Sequence, residues 1–176
     1  MSTVSGLYRD LRLERAYFSA FQPVPDTPLE DAPPAPLMRE HRLYQTDFLF
    51  RSYGWHAHDI IFEPDGNLSL EEDPKLVWAQ AHPERFPIEL NRAELPELLR
   101  VPGIGPRSAR RIVSERKAHR IADLTELRRA GVVIQRAAPF VLINGRTQGD
   151  AEAFARRTAR RLREADRQLA LPLGGG

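Results

Sequence analysis

The residues whose types and spacing carry the most chemistry run from Leu98 to Ile112, where Val101-Pro102-Gly103-Ile104-Gly105-Pro106 joins two apolar, helix-compatible stretches. Chemistry of this kind is anion binding rather than bond making. Gly103 and Gly105 permit positive φ and let a phosphate approach the backbone without meeting a Cβ. Pro106 is placed to open a helix whose first amides have no partner inside it. Those amides and the helix dipole offer partial positive charge to an oxyanion. Arg107, Arg110 and Arg111 add formal charge beside them. The candidate phosphate-binding set is therefore Gly103, Ile104, Gly105, Arg107, Ser108, Arg110 and Arg111. Ala109 is small enough for two helices to cross closely, and Ile104 and Ile112 are spaced to plug the interface between them.

Residues able to make or break bonds are scarce. The 176-residue chain has no cysteine, which excludes disulfides, thiolate zinc sites, cysteine nucleophiles and protein-ligated iron–sulfur clusters. Five histidines are scattered at His41, His56, His58, His82 and His119. His56-Ala57-His58-Asp59 offers donors for a metal, but no second pair stands at a supporting helical spacing, so these read as surface or structural histidines. Asp123 lies downstream of the glycine turn, yet Asp123-Leu124-Thr125-Glu126 reads as an N-cap followed by a helix. The expectation is a protein without a catalytic constellation or a metal site: not an enzyme.

A total charge of +2 conceals a division. Residues 1–90 carry 8 basic and 15 acidic side chains, a net −7, whereas residues 91–176 carry 18 and 9, a net +9. The positive half contains the glycine turn, as expected if the turn meets nucleic acid. A solvated charged face is the alternative.

The hairpin resembles the helix-hairpin-helix motif, in which Pro-Gly-Ile/Val-Gly is followed by a small residue four positions after the second glycine. Pro102-Gly103-Ile104-Gly105 and Ala109 match each of those positions. The resemblance implies sequence-independent binding of duplex or branched DNA through the phosphate backbone. In some such hairpins it also implies a monovalent cation held by backbone carbonyls, here those of Leu99, Val101 and Ile104. No other cofactor is expected. A second copy follows over residues 124–141, with Gly131 aligned to Gly103 and Val133 standing where the second glycine belongs. That turn is expected to bind phosphate poorly, while Val132, Ile134, Phe140 and Val141 pack against the first half. An ordinary αα-corner remains the alternative for the first hairpin, and an unrelated helical extension for the second.

In the N-terminal half, Ala16-Tyr17-Phe18-Ser19-Ala20-Phe21 is the best strand candidate in the chain. Six prolines in the next fourteen residues, Pro23 to Pro36, predict an extended loop. A helix is expected from Leu37 to Tyr53 with Gly54 as its stop, and an irregular stretch with a turn at Pro64-Asp65-Gly66-Asn67. Asp73-Pro74 then predicts a short helix ending at His82-Pro83, and Asn91 with Glu94 predicts the capping box of a helix that runs to Arg100.

Residues 15–30 and Arg39-Glu40-His41-Arg42-Leu43-Tyr44-Gln45, together with the hairpin, resemble the C-terminal part of the DNA modification/repair radical SAM protein family over about residues 12–145. The catalytic half of that family, with its Cys-x-x-x-Cys-x-x-Cys cluster motif and most of an α/β barrel, lies upstream. With no cysteine, this chain is not expected to cleave S-adenosylmethionine alone. Tyr17, Ser19 and Gln22 would stand near the end of the last barrel strands in a full-length relative. A helix-hairpin-helix DNA glycosylase is a poorer match, because Arg107 occupies the position of its Schiff-base lysine and arginine stays protonated.

Residues 150–168 predict a basic amphipathic helix, with Ala151, Phe154, Ala155, Thr158, Leu162 and Ala165 on one face. The tail that follows, Gln168-Leu169-Ala170-Leu171-Pro172-Leu173, resembles the peptide that anchors bacterial polymerases and repair proteins to the sliding clamp. Leu171 and Leu173 would fill an apolar pocket, with Gln168 and Leu169 beside it. An apolar helix end folded back on the domain is the alternative. No apolar run approaches the roughly 20 residues of a membrane span, and Met1 to Arg15 lacks the apolar stretch of a secretory signal. A cytoplasmic, nucleoid-associated protein is the default.

The expected architecture is mainly α: a tandem helix-hairpin-helix module with an irregular, proline-interrupted N-terminal region containing at most one or two short strands. The expected divisions are a strand and loop over 1–36, a helical region over 37–85, the DNA-binding domain over 86–145, the basic helix over 146–168 and an exposed tail over 169–176. The leading function is non-enzymatic DNA binding in repair or maintenance. The alternatives are an accessory or split subunit of a radical SAM repair enzyme, and a protein–protein assembly module.

Overall fold

The computed structural model describes residues 2–11 and 14–148. The basic helix expected at 150–168 and the clamp-like tail, including Gln168, Leu169, Leu171 and Leu173, lie outside the described residues. The chain divides into two compact units between Trp78 and Ala79.

The first unit is built on α1 (Ser2–Leu11), α2 (Leu37–Tyr53) and α3 (Pro74–Ala81), whose last three residues belong to the second unit. Helix α2 starts where the proline loop ends. It stops at Gly54, which takes φ 68° and returns its amide to the Leu49 carbonyl, a left-handed cap that favours glycine. Its inner face is unusually polar: Arg42, Thr46 and Asp47 are buried beside Leu49. Burial of such groups is tolerable only when they are paired, and they are. Arg42 donates to the carbonyls of Ser69 and Leu70 at 3.0 Å each and to Gln45 at 2.9 Å. Asp47 accepts from the Tyr8 hydroxyl and from Arg51 Nε. Burial first, then the bond to Asp47, pushes the Tyr8 hydroxyl above its ordinary value. The apolar part of the core is small, with Trp55 and Trp78 in edge contact at 5.5 Å and Ile60 and Leu68 buried.

The strand expected at Ala16–Phe21 does not form, although the segment is laid out like one. Among the described residues no neighbouring strand is present, and side chains take its place. Ala16 N–H donates to the Tyr8 hydroxyl, Phe18 pairs both its N–H and its carbonyl with the Tyr44 hydroxyl, and Ala20 N–H donates to Glu40. Helix α1, which carries Tyr8, was not anticipated.

The second unit holds β1 (Ile88–Glu89), α4 (Leu95–Leu98), α5 (Pro106–Ala118), α6 (Leu124–Arg129), α7 (Ile134–Ala137), β2 (Val141–Ile143) and β3 (Arg146–Thr147). With seven α-helices and one three-stranded sheet among the described residues, the fold is mainly α as expected. The strands, however, stand on either side of the hairpins rather than in the N-terminal region. Strand β2 is central, parallel to β1 with Ile88 opposite Val141, and antiparallel to β3 with Leu142 opposite Thr147. Asn144-Gly145 forms the two-residue turn between β2 and β3, with φ 54° and 75°, the pair of positive torsions that favours an Asn-Gly sequence. The sheet thus clamps together the two ends of the helical segment. Leu90, Leu98, Val101, Ile104, Ile112, Ile121, Leu127, Phe140, Val141 and Ile143 are almost wholly buried. At about 1.5–3 kcal/mol for each large side chain, their burial dominates this unit's stability.

Asn91 does not cap a helix. Glu94 does, in a reciprocal box with Glu97, and α4 ends at Leu98 rather than Arg100. Asn91 instead ties the sheet to the α5–α6 loop: its Nδ2 donates to the Ile121 carbonyl and its Oδ1 accepts the Ile121 amide. Two long-range bonds to a buried segment win over a local cap.

Glu89, beside it, accepts from the amides of Asn91, Asn144 and Gly145. Burial pushes its carboxyl up, but the three amides outweigh it and hold the group below the ordinary glutamate value. A depressed folded value means stabilisation that is present above the unfolded value and lost as pH falls through the folded one. Replacing Glu89 with Gln is expected to cost about 1–3 kcal/mol at neutral pH. In urea titrations the difference between parent and variant should shrink as the pH falls below the ordinary glutamate value. A pH-independent difference would contradict the assignment.

Candidate nucleic-acid interface

The N-terminus of α5 is assembled from a turn that leaves its amides outward. Gly105 is the N-cap, Pro106 is the first helical residue, and the first helical bond runs from Ala109 N–H to the Gly105 carbonyl at 2.8 Å. The amides of Gly105, Arg107 and Ser108 therefore have no hydrogen-bond partner among the described residues. Ile104 N–H does, closing back on the Val101 carbonyl at 3.1 Å. Three unpaired N–H groups at the positive end of a 13-residue helix make a ready anion site.

Side chains sort themselves around this ridge. Ser108, Ala109 and Ile112 form the buried face of α5, while Arg107, Arg110 and Arg111 stand exposed on the opposite side. Arg107 and Arg110 form no ion pair among the described residues. Arg111 does, with Glu115 at 2.7 Å, so part of its charge is neutralised. Arg116, two turns on, is structural: it donates to the carbonyls of Leu90 and Ala93.

The two glycines of the turn have different tasks. Gly105 has φ −95° and ψ 173°, an extended conformation open to any residue, so the positive φ that glycine permits is not used there. Gly103 has φ 83°. A methyl group on Gly103 would stand 2.6 Å from the Val133 carbonyl oxygen and 2.9 Å from Arg136 Cβ. Its carbonyl meanwhile accepts the Val133 amide at 2.9 Å. Gly103 is thus the seat of the second hairpin.

The second hairpin answers in kind. Gly131, twenty-eight positions after Gly103, has φ 86°, and its carbonyl accepts the Ser108 hydroxyl at 2.8 Å. Each hairpin therefore contributes one glycine carbonyl to the other, and each glycine faces a residue at the equivalent place of its partner, Arg136 or Ser108. Ala109 and Ala137 are both buried, as are Ile112 and Phe140, at the same offset. Val132 and Val141 are buried as expected, and Ile134 is half-buried.

Two of the expected site residues do not offer their side chains at the surface. Ile104 is buried in the core, and Ser108 is buried with its hydroxyl engaged by Gly131. What Ser108 leaves without a partner among the described residues is its amide. Arg136, which sequence reasoning passed over, is exposed beside the Gly103 turn; the repeat offset that equates it with Ser108 was the available signal. The Val101 carbonyl, one of three proposed for a cation, accepts the Ile104 amide. Asp123 caps α6 by accepting from Thr125 and Glu126, bonds that hold its carboxyl below the ordinary aspartate value. His56 and His58 stack at 5.5 Å, but no group of three or more His, Cys, Asp or Glu able to hold a metal occurs among the described residues.

Residues 85–137 match the model of the helix-hairpin-helix motif, a motif typical of nucleic-acid-binding proteins. No curated protein and no solved structure matches the chain.

The geometry separates two costs at Gly103. Gly103→Ala carries both the strain of positive φ and a collision with backbone, and is expected to destabilise the protein by about 2–4 kcal/mol. Gly145→Ala, with φ 75° but nothing within 4 Å of the added methyl, should cost only the torsional part, about 1–2 kcal/mol. Equal losses in denaturant unfolding would show that the hairpins do not pack as described.

Proposed function

We propose that the second unit is a sequence-independent DNA-binding module that grips a phosphate at the N-terminus of α5. The observation that carries this is the ridge of Gly105, Arg107 and Ser108 amides, unpaired among the described residues and flanked by Arg107 and Arg110, neither of which is committed to an acidic partner among them. Phosphate contacts made through backbone and point charges fix position but carry no base information. Indifference to sequence is therefore intrinsic to the site. The basic balance of residues 91–176 supports attraction to the DNA polyanion.

Only one of the two hairpins is equipped to do this. The Val133 amide is bonded to Gly103, the Val133 side chain stands where the second glycine would be, and α7 has four residues. The second hairpin supports the first, and the grip falls on one strand at a time. A role in DNA repair or maintenance, without catalysis of its own and in the cytoplasm with the nucleoid, fits a module that holds backbone irrespective of sequence. Duplex or branched DNA is the expected partner.

Fluorescence anisotropy of a labelled mixed-sequence duplex tests the site directly. The parent should lose affinity steeply as salt rises and show little preference between unrelated sequences. Removing the charges of Arg107 and Arg110 together, by substitution with Ala, should weaken binding at least about tenfold at moderate salt and flatten the log–log salt slope by about 2. Thermal stability should be unchanged, because both side chains are exposed and form no ion pair among the described residues. A variant that binds as tightly as the parent would overturn the proposal.

A further inference from the structure

The segment from Arg15 to Phe21 is held like a strand with one neighbour. Its even-numbered residues turn inward: Ala16, Phe18 and Ala20 are half-buried, and their amides are all taken by Tyr8, Tyr44 and Glu40. The odd-numbered residues Arg15, Tyr17 and Ser19 are exposed, and neither their N–H nor their carbonyl groups have a partner among the described residues. This two-residue alternation is that of extended chain, which points successive backbone groups to opposite sides. The outer edge closes at Phe21, whose carbonyl accepts the Ala35 amide at 2.8 Å from the returning proline loop. An open edge of three residues remains, already ordered by the side chains of the first unit. The chemistry that completes such an edge is another extended backbone.

We propose that this edge pairs with the same edge of a second copy of the chain, antiparallel about a two-fold axis through Tyr17. The register follows from the edge itself. Along this stretch Arg15, Tyr17 and Ser19 are the described residues whose outward N–H and carbonyl are both open, so the one symmetric pairing that uses all of them sets Tyr17 against Tyr17 of the other copy, and Arg15 against Ser19. Glu14 then lies opposite Ala20, and no like charges face each other, which would disfavour pairing. Six main-chain hydrogen bonds form. The Tyr17 ring, 79% exposed in one chain, gains a partner ring across the axis. The Arg15 guanidinium, already 5.1 Å from the Tyr17 ring centroid, covers the pair from one side. The proposal does not rest on the DNA-binding reading.

The absence of native cysteine makes a clean test possible with the full chain. Sedimentation velocity should show a reversible, concentration-dependent dimer. Ser19→Pro removes one outward N–H while leaving every inward bond in place, and should give a monomer; Ser19→Ala keeps the N–H and should still dimerise. Facing residues of a hydrogen-bonded antiparallel pair have Cα atoms about 5.5 Å apart, within disulfide reach. Tyr17→Cys should therefore form a covalent dimer on mild oxidation. Ser19→Cys, four positions from its own copy and so about 13 Å away, should not. A parent that remains monomeric at high concentration, or two cysteine variants that cross-link equally, would overturn the proposal. Loss of DNA binding would leave it untouched.

Discussion

The second unit depends on one backbone contact, the Val133 amide against the Gly103 carbonyl, and on the missing side chain that allows it. At 2.9 Å it fixes how closely the hairpins approach. That distance in turn decides which residues are buried: Ala109 and Ile112 from one helix, Ala137 and Phe140 from the equivalent stretch. The Ser108–Gly131 bond closes the other side. With the inner face of α5 held in this way, its N-terminal amides and first arginines have no choice but to face water. The candidate ligand site is the residue left over when packing has been satisfied.

The small sheet makes the same arrangement durable. Parallel pairing of Ile88 with Val141 joins positions that are far apart in sequence, so the chain entering the first hairpin is bound to the chain leaving the second. Glu89 and Asn91 secure that junction through amides and carbonyls of the Asn144-Gly145 turn and Ile121. Polar side chains do structural work in the first unit as well, where Arg42, Asp47, Tyr44 and Glu40 satisfy backbone or one another in place of a larger apolar core.

Much of the hairpin was legible in the sequence, because Pro102-Gly103-Ile104-Gly105 combines torsional, steric and capping signals within four residues. The helix at Leu37–Tyr53, the Asp73-Pro74 start and the Asp123 cap were legible for the same reason: each rests on local chemistry. What sequence alone misplaced was decided by distant partners. Ala16–Phe21 has strand propensity, but its neighbour is a helix. Asn91 has capping chemistry, but Ile121 is a better partner. The division of labour between Gly103 and Gly105 depends on where Val133 lies, which neither turn states by itself. The Asn144-Gly145 turn between two β-favouring runs was a strong local signal for the β2–β3 hairpin and went unused.

The central claim is that phosphate meets the α5 N-terminus and not the second turn. Backbone ¹⁵N–¹H NMR of the full chain, titrated with a short mixed-sequence duplex, observes those groups themselves. The account predicts that the largest amide shifts fall at Gly105, Arg107 and Ser108, with Gly131 to Ile134 moving little. Shifts centred on the second turn, or spread evenly over the exposed arginines with no response from these three amides, would contradict it.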